Sequence, residues 1–333
     1  MHPKISEHMV RAPSLGRLVE GYLITLRSEG KSFHSVAYYR RLLNNFLWWC
    51  DGQGIPHNVE VITAAHVRDF LLYIRTEPVR WGGRSTSSRR PASGRTVAHY
   101  HGALRTFYNW LLGEGLVSGS PLETVKPPKV PEMVIQPLAP EDIRRLLDRC
   151  DGKTALGSRN RAIILLLFDT GLRLSELSAL ELSDIDIERG TILVREGKGQ
   201  KQRVVHMGSC CQKAVWRWVS IFRESSSDRL LVSLEGEPLE ARGVQALVKR
   251  LFERAGVAGG RGCHRLRHTF AIEYLRAGGD LISLQYLLGH GSLEMVKRYL
   301  GTLNADDAAR AHRKFSPADN LRRRDRGADT HVS

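Results

Sequence analysis

The densest run of residues able to do chemistry is His264-Arg265-Leu266-Arg267-His268-Thr269-Phe270-Ala271. His264 and Arg267 lie three apart, so on a helix they share a face, and an imidazole beside a guanidinium can grip a single phosphate. Two plainer readings compete: a solvated basic face, and a His264/His268 metal pair one helical turn apart. A metal site needs a third ligand, and the Glu that makes such a pair a protease signature is replaced here by Arg265. Three other segments carry related residue types. Gly171-Leu172-Arg173-Leu174-Ser175-Glu176-Leu177 places an arginine at a glycine-loosened helix junction, with Ser175 expected as N-cap and Glu176 in the first turn. Glu196-Gly197-Lys198-Gly199-Gln200 places a lysine at a hairpin tip, flanked by Lys201 and Arg203. Leu287-Leu288-Gly289-His290 is followed nine residues later by Tyr299.

The elements that must position these residues fall into two groups. Apolar residues at helical spacing predict four helices between Ser14 and Leu112, through Leu15/Leu18/Tyr22/Leu26, Val36/Tyr39/Leu43/Phe46, Val67/Phe70/Ile74 and Val97/Tyr100/Leu104/Phe107/Leu111. Ser14, Thr63 and Ser93 stand where N-caps belong. Between the third and fourth helices, Pro78 to Arg95 carries five arginines, Arg80, Arg84, Arg89, Arg90 and Arg95, and no acid, so it reads as a loop able to meet phosphate. Lys126 to Pro140 holds five prolines and reads as an extended linker. Beyond it the pattern is helical again, interrupted by a period-two hairpin, Thr191 to Arg195 with Gln202 to His206. The expected fold is therefore mainly α with a small antiparallel β-sheet. Its expected divisions are a flexible N-terminus (1–13), a helical domain (14–125), a linker (126–140), a second domain (141–303) and a final helix with a basic tail (304–333).

The chain has 333 residues, enough for two domains with sizeable cores, and its 50 Lys+Arg against 35 Asp+Glu leave a formal net charge of +15. That excess favours a polyanionic partner. The longest uncharged apolar run, Ala162 to Phe168, falls far short of the ~20 residues of a membrane span, and no signal-peptide pattern opens the chain. Five scattered cysteines without Cys-x-x-Cys spacing suit a reducing compartment and argue against a cysteine zinc site. A soluble, cytoplasmic, nucleoid-associated protein is expected.

Taken in order, GLRLSEL, GKGQKQR, HRLRHTFA, LLGH and a tyrosine nine residues after that histidine resemble the catalytic domain of tyrosine recombinases, the phage-integrase and Xer family. The helical region upstream is similar to that family's SAM-like core-binding domain, so the resemblance covers roughly residues 14 to 315. It implies a site-specific recombinase that cuts and rejoins double-stranded DNA through a 3′-phosphotyrosine, without ATP, metal or other cofactor. It also implies a homotetramer on two DNA sites, or partnership with a paralogous recombinase, with the segment after Leu303 docking on a neighbouring protomer or folding back on its own domain. Carried over residue by residue, Tyr299 matches the nucleophile, and Arg173 and Arg267 match the donors to non-bridging oxygens. His264 stands as candidate proton acceptor, His290 as phosphate donor, Lys198 as general acid and Glu176 as a supporting acid. His268 is expected to be structural, with Lys201, Arg203, Arg265 and the loop arginines as DNA contacts. The family often has Thr before the tyrosine and Thr-His after it, whereas this chain reads Val296-Lys297-Arg298-Tyr299-Leu300. Three other readings compete: a non-catalytic regulator using Leu281 to Leu300 as helix-turn-helix, a type IB topoisomerase, and a metal-dependent nuclease, whose acids are missing.

Overall fold

In the N-terminal part the apolar stripes become α1 (Leu15–Ser28), α2 (Phe33–Gly52), α3 (Ala64–Thr76) and α4 (Gly94–Gly113). The computed structural model describes residues 14–83, 91–130, 136–195, 202–258 and 262–315. Thr63 and Ser93 cap α3 and α4 by accepting the backbone N–H of His66 and Thr96, while Ser14 occupies the cap position of α1 without a side-chain bond. The stripes meet in one core, with Leu23, Phe46, Phe70, Leu104, Phe107 and Tyr108 all but fully buried.

Arg80, expected as a DNA contact, is instead buried: it donates to the carbonyls of Ile74 and Glu77 and closes the C-terminal end of α3. The reason lies in its neighbour. Trp81 packs its ring against Trp48, Phe70, Tyr73 and Tyr100, and this aromatic anchor draws Arg80 in with it. Arg84, Arg89 and Arg90 lie outside the described residues. Arg95 is exposed in the first turn of α4, where the helix dipole disfavours a cation, so it has no local structural partner in that dipole.

The chain divides into two compact units, Met1–Glu132 and Met133–Ser333. The second begins with α5 (Pro140–Asp148), opened by proline at its start and by Glu141 and Asp142 in its first turn. Next comes α6 (Ala155–Thr170), which is apolar on every side from Ala162 to Leu167 and accordingly runs through the middle of the core. A short α7 (Leu174–Ala179) leads to a sheet of order β1-β2-β3, formed by Ile185–Asp186, Thr191–Val194 and Arg203–His206. Both pairings are antiparallel, and Ile192 faces Val205 with both side chains inaccessible. α8 (Ser209–Arg217) and α9 (Ala241–Arg254) complete the main core, α8 ending in a single π turn at Trp218–Phe222.

The last elements are α10 (Gly262–Arg276), α11 (Leu281–Leu288), α12 (Glu294–Lys297) and α13 (Ala305–Phe315). Asp280 caps α11 through the N–H groups of Ile282 and Ser283, and Gly289 ends it in the left-handed conformation at φ 59°. The second helix that a helix-turn-helix over Leu281 to Leu300 requires is here one α turn followed by a 3₁₀ turn at Leu300–Thr302. Bonds from Tyr299 N–H to the Val296 carbonyl and from Thr302 N–H to the Tyr299 carbonyl tighten the chain there. Residues three apart then eclipse, which points Val296 and Tyr299 together into a small core with Ala271, Ile272, Leu284 and Leu288. A four-residue α12 is too short to serve as a recognition helix, so the helix-turn-helix reading loses its second helix. Among the described residues no helix is long and apolar enough to cross a membrane.

Candidate active site

The site is assembled around two helix ends. α6 stops at Gly171, whose φ is +63°; a Cβ there would lie 2.4 Å from the Phe270 ring, so both the backbone and the space demand glycine. Two residues on, Arg173 is the N-cap of α7, in the place expected for Ser175, which sits inside the helix. The cap works through Glu176: its Oε2 accepts the Arg173 N–H at 2.7 Å, and its Oε1 accepts the Arg173 guanidinium at 2.8 Å. The other helix end is that of α11. Carbonyls of Leu287, Leu288 and Gly289, left unpaired where the helix stops, accept from Arg203, Arg267 and Arg173 at 2.8, 2.7 and 2.7 Å. The negative end of one short helix thus holds three guanidiniums.

Glu176 is the carboxylate that all three reach among the described residues. Arg203 forks onto both its oxygens at 2.9 and 2.7 Å, and an Arg267 nitrogen stands 3.9 Å away. Burial alone would raise this carboxyl, but the hydrogen bonds from Arg203 and Arg173 overcome it and hold it down at about 2. Among the described residues, three guanidiniums thus gather around one carboxylate in a largely buried place. The consequence shows on Arg267, which burial and the neighbouring Arg173 push down to about 10, still charged at neutral pH.

His290 sits against this cluster, 7 % exposed, with Nε2 at 3.1 Å from an Arg267 nitrogen. Arginine can only donate, so Nε2 accepts and Nδ1 carries the proton. That Nδ1 is buried and has no hydrogen-bond partner among the described residues. Burial, followed by Arg267 and Arg173, lowers the imidazole to about 4, so it is neutral at pH 7. A donor of this kind, beside the clustered guanidiniums, is suited to an oxyanion. The Tyr299 ring lies parallel to His290 with centroids 6.4 Å apart and is fully buried. Its hydroxyl is 3.1 Å from His268 Nδ1 and 3.4 Å from an Arg298 nitrogen.

Family models match two stretches: the phage integrase family over residues 136–305, and the phage integrase N-terminal SAM-like domain over residues 18–116. The chain is 34 % identical over 299 residues to tyrosine recombinase XerC of Oceanobacillus iheyensis, covering 88 % of this chain and 93 % of that one. The chain belongs to the phage integrase family of tyrosine recombinases. Tyrosine recombinase XerC of Xanthomonas axonopodis pv. citri is 31 % identical, over 84 % of this chain and 90 % of its own. In fold, the chain is similar to the Tn1549 transposon integrase in complex with transposon right end DNA, with TM-score 0.70 at 18 % identity over 91 % of this chain and all of that one. It is also similar to a lambda integrase dimer bound to a COC′ core site, with TM-score 0.67 at 18 % identity over 86 % and 95 % of the two chains. The protein is a site-specific recombinase, a DNA breaking and rejoining enzyme.

Within the recombinase site, Arg173, Glu176, Arg267, His290 and Tyr299 come together. Arg203 does not stand where it was expected: it is 4 % exposed and committed to Glu176 and Leu287, so it orders the site and is not a surface contact to DNA. Alternation along β3 carries the signal, because Arg203 shares a face with the fully buried Val205. His264 is exposed, its ring 6.3 Å from that of His268, whose Nδ1 is 3.1 Å from the tyrosine hydroxyl. Arg265, half-buried, donates to the Ala258 carbonyl. Lys198 and Lys201 lie outside the described residues. Tyr274 and Tyr286, the other tyrosines of this region, line a mostly apolar cavity between β3, α10 and α11 that includes none of the clustered arginines.

Proposed function

We propose that Tyr299 attacks a DNA phosphodiester to give a 3′-phosphotyrosine and a free 5′-hydroxyl, and that rejoining reverses the step. The observation that carries the reading is the convergence of the Arg173 and Arg267 guanidiniums and the buried His290 imidazole beside the Tyr299 ring. A phosphodiester brings one negative charge, and its five-coordinate transition state develops more. Arg173 and Arg267 donate to the non-bridging oxygens, with their forks fixed in advance by backbone carbonyls, and His290 adds its Nδ1–H. Glu176 and Arg203 keep the forks aligned. His264, on the exposed face of α10 ahead of Arg267, takes the Tyr299 proton as the tyrosine oxygen bonds to phosphorus. Lys198 delivers the proton that the leaving 5′-oxygen requires. The bond energy is stored in the phosphotyrosine, so neither ATP nor a divalent cation enters.

The assembly we propose is a tetramer on two DNA duplexes that exchanges one pair of strands at a time, with this chain alone or beside a paralogue, in the cytoplasm on nucleoid DNA. Arg95, Arg84, Arg89, Arg90, Lys201 and Arg265 supply backbone phosphate contacts. The test is trapping on a nicked duplex carrying the site that the protein selects from a random-sequence pool, in EDTA and without ATP. Wild type is expected to form a covalent adduct that Tyr299→Phe does not form. Specific binding without an adduct from wild type would move the reading to a non-catalytic regulator, and relaxation of supercoils without exchange would move it to a type IB topoisomerase.

A further inference from the structure

The stretch Val296-Lys297-Arg298-Tyr299-Leu300, where the chain departs from the family's usual pattern, sets an arginine directly before the tyrosine. Neighbouring residues on a helical turn point about 100° apart and do not face each other. The long side chain of Arg298 overcomes this by folding back. Its guanidinium lies over the Tyr299 ring, 5.3 Å from the centroid, and one of its nitrogens stands 3.4 Å from the hydroxyl oxygen. Lys297 beside it is spent on Glu294 at 3.3 Å, whereas among the described residues no carboxylate pairs with Arg298. Arginine can only donate, so the phenol oxygen is the acceptor. Resting on the phosphotyrosine reading above, we propose that Arg298 is a further catalytic residue, stabilising negative charge on the Tyr299 oxygen as it attacks phosphorus and again as it leaves on rejoining.

The cleavage step balances: the Tyr299 O–P bond forms, the P–O5′ bond breaks, the phenol proton passes to His264, and Lys198 protonates the departing 5′-oxygen. Between phenol and phosphotyrosine the oxygen carries partial negative charge. A guanidinium in this place responds twice, through a hydrogen bond that strengthens as its acceptor ionises and through a ring face that grows richer in electrons. The other groups around the buried ring are Arg267 and His268 of α10, with His264 a turn earlier, and His290 from the turn after α11. Burial first, then Arg298 itself, holds His268 at about 4; burial, Arg267, Arg173 and Arg298, in that order, hold His290 there too. Both imidazoles are therefore neutral at pH 7. Arg267 is committed to the carbonyls of Gly171 and Leu288. Among the described residues, Arg298 is the cation within hydrogen-bond reach of the phenol oxygen.

The experiment measures single-turnover adduct formation by the full chain on the selected nicked duplex between pH 5.5 and 9.5, for wild type, Tyr299→Phe, Arg298→Gln and Arg298→Lys. Wild type and Arg298→Gln are also compared with 3,5-difluorotyrosine at position 299, whose phenol ionises far more readily. Glutamine keeps a donor and loses the charge; lysine keeps the charge and loses the planar fork. Arg298→Gln should bind the duplex as wild type does and cleave about tenfold more slowly at pH 7. The deficit should shrink as pH climbs toward the ordinary phenol range near 10, Arg298→Lys should recover part of the rate, and difluorotyrosine should close most of the gap. The inference is overturned if Arg298→Gln cleaves within about twofold of wild type, or if its deficit runs parallel across pH and persists with difluorotyrosine. A loss confined to duplex affinity overturns it as well, leaving Arg298 a phosphate contact. An adduct missing from wild type, or persisting in Tyr299→Phe, brings down the phosphotyrosine reading and this inference with it. An adduct lost in Tyr299→Phe but formed normally by Arg298→Gln removes only the inference.

Discussion

Glu176 decides more than its single charge suggests. Replacing it with alanine leaves Arg173, Arg203 and Arg267 facing one another without their shared acceptor, and breaking a buried ion pair from one side costs about 3 to 5 kcal/mol. Urea unfolding of Glu176→Ala should show a loss of that size, with the variant also failing to cleave; an unchanged midpoint would mean that the cluster relaxes into solvent. The pH dependence has a definite sign. The Glu176 carboxyl is depressed from 4.5 to about 2 in the folded protein, so its contribution is complete above about 4.5 and is lost as pH falls through 2. His268 and His290, lowered from 6.5 to about 4, act in the neighbouring window: between those values the unfolded chain binds protons that the folded chain refuses, and stability declines as pH falls. A stability–pH curve should therefore slope downward from about 6.5 towards acid, less steeply in His268→Asn.

At this scale the sequence was readable wherever spacing along one helix decides the matter. His264 and Arg267 share a helix, and the Gly289-His290 turn follows α11 as expected. What spacing could not convey is distance between elements. That His268 rather than His264 meets Tyr299 depends on the 3₁₀ turn after α12, a local tightening with no marker stronger than Gly301. The charge of Arg203 points to a surface contact, whereas the alternation along β3 turns it inward beside Val205.

Among the elements, α11 is a short helix whose end serves as a ligand. Its carbonyls, not side chains, aim the arginines, and Gly289 at φ 59° lets the chain turn away and leave them open. A Cβ at Gly289 would also fall 2.8 Å from an Arg203 nitrogen. Gly289→Ala should cost about 1 to 3 kcal/mol in thermal or urea unfolding and should slow cleavage more than it weakens DNA binding, because the forks are tilted while the surface is unchanged. Equal losses in binding and cleavage would assign the damage to the fold as a whole. The helices themselves were legible because amphipathic stripes and the caps at Thr63, Ser93 and Asp280 are local signals. The break between Lys297 and Leu300 was not, since an apolar residue every third position fits an α-helix and a 3₁₀ turn alike.

For the whole molecule, the net charge of +15 predicts steep salt dependence: affinity for duplex DNA should fall by orders of magnitude between 50 and 200 mM salt, with a logarithmic slope that counts the phosphate contacts. A shallow slope would remove the surface arginines from the interface. The terminal helix bears on assembly. Asp307, nearly inaccessible, pairs with Arg276 of α10 at 3.4 Å and also with Arg310 on its own helix. The same Arg276–Asp307 pair can be made between copies if the chain after Leu303 passes to a neighbour, a head-to-tail exchange that closes into a ring. Truncation after Leu303 should then abolish strand exchange and preserve binding to a single site, as gel shifts and exchange assays on paired sites would show; exchange that survives truncation would leave α13 as a local brace.

A phosphodiester held by Arg173, Arg267 and His290 binds the folded chain and not the unfolded one, so occupancy should raise the melting temperature and slow a protease that attacks the opened chain. Limited proteolysis with and without the selected duplex checks this, and equal half-lives would uncouple occupancy from survival of the fold.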